Sequence, residues 1–283
     1  MSGLNVTPSL MLALGLAGLF GLVVGSFLNV VVYRVPAGIS LVRPSQCPAC
    51  DAPVKPWQNV PIVSWLALRG RCASCRAPIS PRYPVVELAT GLAFIAVVLA
   101  GLDAGAIGIQ LVQQPVVFVL ITVAYLYLAS ISIALALIDL DTHRLPNSIV
   151  LPSYLVLGVL LTAACLFGAP WEALLRAAVG GAALYAFYFI LRFARPGGMG
   201  GGDVKLAGVL GIALGFIGWG ALVVGAFAAF VLGGIFGIAL MIARRAGRKT
   251  AIPFGPWMIA GAWVGIFAGE QLAQWYLGAL VRG

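Results

Sequence analysis

Long runs of residues without a single charged side chain constrain the fold of this chain most. Residues 1–33, 104–138, 145–171 and 206–243 contain no Asp, Glu, Lys or Arg. Because a transmembrane helix needs about 20 mostly apolar residues, each run can cross a bilayer. Only 9% of the chain is charged, whereas soluble domains have about 25% charged residues. With 62% apolar residues, the chain is neither a soluble globular enzyme nor disordered, and we predict a polytopic membrane protein.

The apolar runs predict an all-α fold with about eight transmembrane helices. As a single helix, the run 206–243 would measure about 57 Å, nearly twice the thickness of the hydrocarbon core. The glycine-rich sequence 215–220 in its middle is typical of a turn, so we divide this run into two helices. The predicted helices cover residues 9–33, 84–102, 112–138, 148–168, 172–192, 204–216, 219–243 and 256–281.

The distribution of Lys and Arg predicts the orientation in the membrane, because basic residues concentrate in cytoplasmic loops. Four segments hold 15 of the 17 Lys and Arg residues: 34–82, 139–147, 192–205 and 244–249. They alternate with nearly uncharged loops, so we expect all four on the cytoplasmic side of the membrane. Asp103, Glu172, Glu270 and both termini are then periplasmic. No cluster of basic and aromatic residues indicates a nucleic-acid partner, and the predicted partner is the lipid bilayer.

A cysteine motif marks segment 34–83, the one sizeable soluble part between helices 1 and 2. Cys47-Pro48-Ala49-Cys50 is followed, after 21 residues, by Cys72-Ala73-Ser74-Cys75. Two such pairs are typical of a four-thiolate zinc site. A pair of disulfides is the alternative, and the predicted cytoplasmic location disfavours it. We therefore expect Cys47, Cys50, Cys72 and Cys75 to bind a structural Zn²⁺ that supplies folding free energy to the loop.

Two aspartates lie at the predicted membrane edge. Asp139 ends the third helix, and Asp203 opens the sixth after a run of glycines. Carboxylates at membrane depth are costly and are by default functional. Two that face each other could share a proton, so that one activates water while the other polarises a peptide carbonyl. The alternatives are an exposed ion pair between Asp141 and Arg144 and a helix N-cap at Asp203.

Several motifs together resemble one family. Gly200-Gly201-Gly202-Asp203 resembles the Gly-x-Gly-Asp motif of intramembrane aspartyl proteases. The other matching stretches are Gly25-Ser26-Phe27-Leu28-Asn29-Val30, Tyr33-Arg34-Val35-Pro36, the Cys-Pro-x-Cys pair, Asn59-Val60-Pro61, Ser64-Trp65-Leu66, Arg69-Gly70-Arg71-Cys72, Tyr83-Pro84, Leu145-Pro146-Asn147 and Pro253-Phe254-Gly255-Pro256. Because these motifs follow one another in this order along nearly the whole chain, it resembles the type IV prepilin peptidases. These are bacterial leader peptidase/N-methyltransferases that serve type IV pili and type II secretion.

The resemblance implies that Asp139 and Asp203 are the catalytic aspartates, supported by the motif residues Gly200 and Gly202. Asp141, about 200° further round a helix, should point elsewhere. The implied substrates are prepilins and pseudopilins, whose basic leader is cleaved after a glycine at the cytoplasmic face of the bacterial inner membrane. The new α-amine, usually of phenylalanine, is then methylated by S-adenosylmethionine. Members of the family that only cleave lack the cysteine loop, so the four cysteines favour the bifunctional form.

Two further polar residues have competing interpretations. Lys205 could tune the aspartate pair, contact substrate, or anchor the helix at the membrane edge. Glu87 starts the second helix, where an acid interacts favourably with the helix dipole. The resemblance makes Glu87 a candidate methyltransferase-site residue. The chain lacks a P-loop and a Gly-x-Gly-x-x-Gly turn, so spacing does not reveal where S-adenosylmethionine binds. The lone histidine, His143, is interpreted as a loop residue.

The predicted division is a first helix (1–33), a zinc-binding loop domain with a methyltransferase role (34–83) and a membrane peptidase domain (84–283). One alternative function is a peptidase that only cleaves and whose zinc loop docks substrate. A second is a transporter with intramembrane carboxylates, for which inverted repeats would be expected. The sequence shows no such internal symmetry.

Overall fold

The protein is predominantly helical in the residues that the computed structural model describes, 8–102, 114–194, 199–243 and 253–282. Its long helices are α1 (Pro8–Arg34), α3 (Arg82–Leu102), α4 (Pro115–Thr142), α5 (Asn147–Leu166), α6 (Trp171–Ala194), α7 (Gly201–Ile217), α8 (Trp219–Ile242) and α9 (Gly255–Arg282). The loop between α1 and α3 adds a 3-10 turn (Pro56–Asn59) and the short helix α2 (Val63–Ala67). Those ranges contain no β-strand, only two isolated β-bridges, and the predicted all-α fold is confirmed.

Six of the long helices, α1, α3, α4, α5, α6 and α8, are long and apolar enough to cross a membrane. The crossing of α7 and α9 stays a prediction. With 17 residues, α7 extends about 26 Å, less than the hydrocarbon thickness of about 30 Å. Two predicted ends need correction. α4 continues to Thr142, which places Asp139 inside its last turn, and α7 begins at Gly201 because Asp203 caps its start.

The described helices belong to two compact units. The first comprises α1, the loop and α3 as far as Leu99, with residues 129–134 of α4, and the second comprises the remainder. The division predicted at residues 33 and 83 stays a prediction, and so does the periplasmic position of Asp103, which lies outside the described residues. In the first unit, a Cβ placed on Gly21 would lie 2.8 Å from Gly91 Cα, and one on Gly25 would lie 2.7 Å from Glu87 Cα. The small residues of α1 therefore let it pack closely against α3.

In the second unit, α7 is the central helix. Eleven of its 17 residues are buried, which suits a helix that is apolar on all sides. It packs against α6 through glycines, since a Cβ on Gly211 would lie 2.9 Å from Gly181 Cα. Tyr125 of α4 donates a hydrogen bond to the Ala213 carbonyl oxygen at 2.7 Å. Short side chains and these carbonyl contacts hold α7 among its neighbours.

The turn between α7 and α8 is capped by two charged side chains from other helices. Arg176 of α6 donates to the last carbonyl oxygens of α7, those of Gly215 (3.4 Å), Phe216 (3.3 Å) and Ile217 (3.5 Å). Glu270 of α9 accepts the first N–H groups of α8, those of Gly220 (2.9 Å) and Ala221 (3.2 Å). Helix ends leave such groups without intrahelical partners, and these two side chains satisfy them.

Candidate active site and metal centre

The two cysteine pairs fold into matching knuckles. In each knuckle the N–H of the first cysteine donates to the carbonyl oxygen of the alanine five residues later, at 2.9 Å for Cys47 and 2.8 Å for Cys72. The residue after the second cysteine has a left-handed backbone, with φ of 55° at Asp51 and 62° at Arg76. The repeated sequence Cys-x-x-Cys-x-Ala-Pro thus adopts one local structure twice.

The sulfur atoms of the two knuckles form a single cluster. The four Sγ atoms lie within 4.8 Å of one another, and Cys47 Sγ is 3.8 Å from Cys75 Sγ. A tetrahedral zinc ion with Zn–S bonds of about 2.3 Å needs sulfur separations of about 3.8 Å. The cluster can therefore hold a metal ion of this size.

The thiols of the cluster also influence one another electrostatically. Backbone N–H groups of Cys75 and Ser74 lower the pKa of the Cys72 thiol to about 6. The Ala52 N–H favours the Cys50 thiolate, but the neighbouring thiols of Cys75 and Cys47 raise the pKa of Cys50 to about 12. Negative charge is thus stabilised more at the Cys72 sulfur than at the Cys50 sulfur.

The second knuckle packs on a tryptophan. Trp65 of α2 donates from Nε1 to the Ile79 carbonyl oxygen at 3.2 Å. Gly70 has φ of 66°, and a Cβ placed on it would lie 2.9 Å from the Trp65 ring. The Ser64-Trp65-Leu66 and Arg69-Gly70-Arg71-Cys72 motifs are therefore two halves of one contact.

Arg34 organises the start of the loop, a role that the sequence analysis missed. Its side chain is buried and donates to the carbonyl oxygens of Ser40, Leu41, Arg43 and Pro44 and to the Ser45 hydroxyl. A single guanidinium thereby folds the chain back at the end of α1. The signal available in the sequence was the position of this arginine at the end of a charge-free helix.

Glu87 lies where α1, α3 and the loop meet. Its side chain is 7% exposed, and Oε2 accepts the Ile62 N–H at 2.7 Å. Ser26 of α1 adds a hydrogen bond. The interpretation of Glu87 as a partner of the α3 dipole is wrong, because α3 begins at Arg82 and its first turn contains no acid. The role of Glu87 in methyl transfer stays a prediction.

Asp139 is buried in the last turn of α4, with 4% of its surface exposed. Its Oδ2 accepts the N–H of Gly255, the first residue of α9, at 3.1 Å. A Cβ on Gly255 would lie 2.7 Å from this oxygen, so glycine permits the approach. The positive end of the α9 dipole therefore faces the carboxylate.

Asp203 is the third residue of α7 and is partly exposed. Its Oδ2 accepts the N–H of Gly200, the N-cap residue, at 2.9 Å. Asp203 therefore caps the helix from the third helical position, and the interpretation of Asp203 as the N-cap residue itself is wrong. A Cβ on Gly201 would lie 2.5 Å from Arg192 Nη1, and one on Gly202 would lie 2.7 Å from Leu145 Cβ. Bulkier residues would displace both neighbours.

The structure brings the two aspartates into one site. Leu145 contacts both helix starts, since a Cβ on Gly255 would lie 3.5 Å from its Cδ1. The carboxyl groups of Asp139 and Asp203 are close enough to interact electrostatically. Asp141, in contrast, is exposed. Of the acids in the last turn of α4, only Asp139 therefore belongs to the pair.

Two family models match the chain in consecutive segments. The Bacterial Peptidase A24 N-terminal domain matches residues 19–100, and the Type IV leader peptidase family matches residues 126–238. The prepilin leader peptidase/N-methyltransferases of Stutzerimonas stutzeri and Pseudomonas aeruginosa are each 37% identical to this chain. The matches cover 91% and 92% of this chain, respectively, and 91% of each relative. The corresponding protein of Neisseria gonorrhoeae is 35% identical over the full length of both chains. No solved structure matches.

This chain belongs to the type IV leader peptidase family. Six apolar helices and this membership show a multi-pass membrane protein. The segment matched by the leader peptidase model contains Asp139 and Asp203, and the segment matched by the N-terminal model contains all four clustered cysteines and Glu87. The predicted family is thus confirmed, while the assignment of individual residues to catalysis stays a prediction.

Two further residues of this family member, Lys205 and His143, have contacts that the sequence did not indicate. Lys205 Nζ donates to Asn147 Oδ1 at 2.9 Å, which ties the start of α7 to the start of α5. His143 is the left-handed C-cap of α4, and its N–H donates to the Asp139 carbonyl oxygen at 2.8 Å. Its imidazole also interacts electrostatically with the Asp139 carboxyl group.

An aromatic cluster adjoins the aspartates and was missed by the sequence analysis. Tyr188 of α6 is 2% exposed and interacts electrostatically with Asp203. Its ring centroid lies 5.7 Å from that of Phe230 and 6.2 Å from that of Phe254, the residue before Gly255. The Pro253-Phe254-Gly255-Pro256 motif was the available signal, but spacing alone assigns it no role.

Proposed function

We propose that this protein is a bifunctional enzyme that removes the leader of type IV prepilins and related pseudopilins and then methylates the new N-terminus. The observation that carries the proposal is that Asp139 and Asp203 lie close enough to interact electrostatically, each with one carboxylate oxygen bound by a backbone N–H at a helix start. The relatives that match over nine tenths of the chain carry both activities in their names.

The paired carboxyl groups support an aspartyl-protease mechanism. We assign Oδ2 of each aspartate to its backbone N–H and the other oxygen to the reaction. One carboxylate takes a proton from a water molecule, which attacks the scissile carbonyl carbon. The second carboxyl group, protonated, donates to the carbonyl oxygen. Collapse of the tetrahedral intermediate breaks the C–N bond and delivers a proton to the leaving amine. The aspartates titrate as a pair, because two such charges repel each other.

We assign the four-cysteine cluster to a structural Zn²⁺. Its four thiolates would complete a tetrahedral shell, which leaves no open position for catalysis and fixes the two knuckles to each other. The observed sulfur separation of 3.8 Å between Cys47 and Cys75 supports this metal. Bound S-adenosylmethionine would supply an electrophilic methyl group. Glu87 is already engaged by Ile62 and Ser26, so we assign no residue to the cofactor.

We also propose that the active site faces the cytoplasm and that both termini are periplasmic. In the predicted topology, several helix ends on the side of the aspartates carry basic residues: Arg34 ends α1, Arg82 begins α3, Arg192 lies in the last turn of α6 and Lys205 is the fifth residue of α7. This distribution follows the positive-inside rule. Because the loop itself is basic, we expect backbone carbonyls or acidic groups near the aspartates to bind a basic leader.

The direct test uses the purified full-length protein in lipid vesicles. The substrate is a synthetic peptide with a basic leader ending in glycine, followed by phenylalanine and an apolar segment, and S-adenosylmethionine labelled in its methyl group is added. We expect a shortened peptide that carries the label. A shortened peptide without label identifies an enzyme that only cleaves. An unchanged peptide contradicts the proposed function and favours the transporter alternative.

A further inference from the structure

Ile62 has a backbone conformation that is unusual for its residue type. Its φ and ψ are 61° and −50°. The Val63 N–H donates to the Pro61 carbonyl oxygen at 2.6 Å, so Ile62 is the central residue of a γ-turn of the strained kind. A positive φ is a genuine outlier for a β-branched side chain. Such conformations persist only where the surroundings hold them, and they cluster at functional sites.

The group that holds Ile62 is the buried carboxylate of Glu87, through the hydrogen bond from the Ile62 N–H. Ser26 of α1 bonds to the same carboxyl group, and Gly25 brings α1 close to Glu87 Cα. One side chain of α3 therefore connects α1, α3 and the loop. The first unit has little else to hold the loop by burial, since Gly70 is the single buried residue between positions 35 and 80, all of which are described.

The strained turn leads directly to the metal cluster. Ile62 immediately precedes α2, and Trp65 of α2 hydrogen-bonds to Ile79 and packs on Gly70. Gly70 and Ile79 flank the Cys72–Cys75 knuckle and are joined by a hydrogen bond of 2.7 Å. A continuous set of contacts thus runs from Glu87 to the second knuckle.

We propose that Glu87 is a positioning residue for methyl transfer, which holds Ile62 in its left-handed turn and thereby fixes the cysteine loop on α1 and α3. This inference rests on the methyltransferase part of the proposed function. It assigns Glu87 the role of a hydrogen-bond acceptor, distinct from that of a base or a cofactor ligand. Cleavage should not depend on it, because the partners of its carboxylate, Ile62 and Ser26, belong to the loop and α1 rather than to the aspartate pair.

The test compares variants of the full-length protein in vesicles, with leader cleavage and methyl transfer measured on the same preparation. Glu87→Ala should reduce methyl transfer about tenfold or more while cleavage is retained. Without the Glu87 carboxylate, nothing offsets the free-energy cost of the strained Ile62 backbone, and that cost corresponds to a factor of about ten or more in the population of the positioned loop. Glu87→Gln keeps an acceptor oxygen and should retain methyl transfer. The double variant Glu87→Ala/Ile62→Gly should regain methyl transfer, because glycine adopts a positive φ without strain.

The rescue separates this role from the alternatives. If Glu87 were a base or bound the sulfonium of the cofactor, Glu87→Gln would be inactive and Ile62→Gly would restore nothing, and either result overturns the inference. Loss of cleavage in Glu87→Ala also overturns it, since the effect would then be general unfolding. Absence of methyl transfer in the unchanged protein contradicts the proposed methyltransferase function itself, which is a separate failure.

Discussion

The cysteine loop and the aspartate pair each bring together groups that are far apart in sequence, but they do so by different physical means. Between residues 35 and 80 only Gly70 is buried, so the loop gains little from the hydrophobic effect. Helix α7 has eleven buried residues of 17 and is held by packing. A segment that buries little needs a ligand to fix it, whereas a buried helix can position a carboxylate through its neighbours alone.

The comparison predicts different dependences for the two sites. The loop should depend on metal and be insensitive to changes in the packing of α6, α7, α8 and α9. The aspartate pair should depend on that packing and on the backbone groups at the helix starts. Four tests with five variants examine these dependences, and each test has a matched control in the same chain.

The largest expected effect is on cleavage by variants of the pair. Asp139→Asn or Asp203→Asn should lower the rate of leader cleavage by more than about a hundredfold, because the proton transfer that activates water is lost. Metal content should not change. Asp141→Asn, on the same turn of α4 but exposed, is the control and should cleave normally. Normal cleavage by either variant of the pair would refute the aspartate mechanism.

The next effect concerns the metal. Cys72→Ser should release the bound ion and make the loop accessible to trypsin, which cleaves at exposed residues such as Arg69, Arg71 and Arg76. Metal is measured by elemental analysis of the purified protein. Cys165→Ser changes a buried cysteine of α5 outside the cluster and should leave metal content unchanged. Finding no zinc in the unchanged protein would remove the proposed metal site.

A smaller effect is expected from the packing of α6 on α7. Gly211→Val should destabilise the protein by about 1–3 kcal/mol and weaken cleavage, since the added side chain would overlap the Gly180 carbonyl group. Gly158→Val is the control, because no atom lies within 4 Å of a Cβ placed there. Thermal unfolding in detergent measures both. A loss of metal from Gly211→Val would contradict the separation of the two sites.

The smallest effect concerns the capped turn between α7 and α8. Glu270→Ala leaves the N–H groups of Gly220 and Ala221 without their acceptor and should cost about 0.5–2 kcal/mol. Glu270→Gln retains an acceptor oxygen and should lose less. The midpoint of thermal unfolding distinguishes the two variants. Equal stability of both with the unchanged protein would show that the cap contributes nothing measurable.

The parts of this molecule that were predictable depend on neighbours in sequence. Every predicted helix is present in the part of the chain that the structure describes, because a long apolar run can satisfy its backbone in a bilayer only as a helix. The cysteine cluster followed from the spacing of two short pairs. The contacts of Glu87 and Tyr188 were not predictable, because each joins segments whose approach is set by packing.

The sequence by itself determined the membrane class, the helices, the four thiols and the two aspartates, since hydropathy and ligand spacing act over short distances along the chain. Only the tertiary structure decided that Asp139 binds the N–H of Gly255 and that Glu87 holds a strained turn of the loop. Those partners lie 116 and 25 residues apart in the chain. Their pairing depends on helix ends and on close approaches at glycine, which no local pattern specifies.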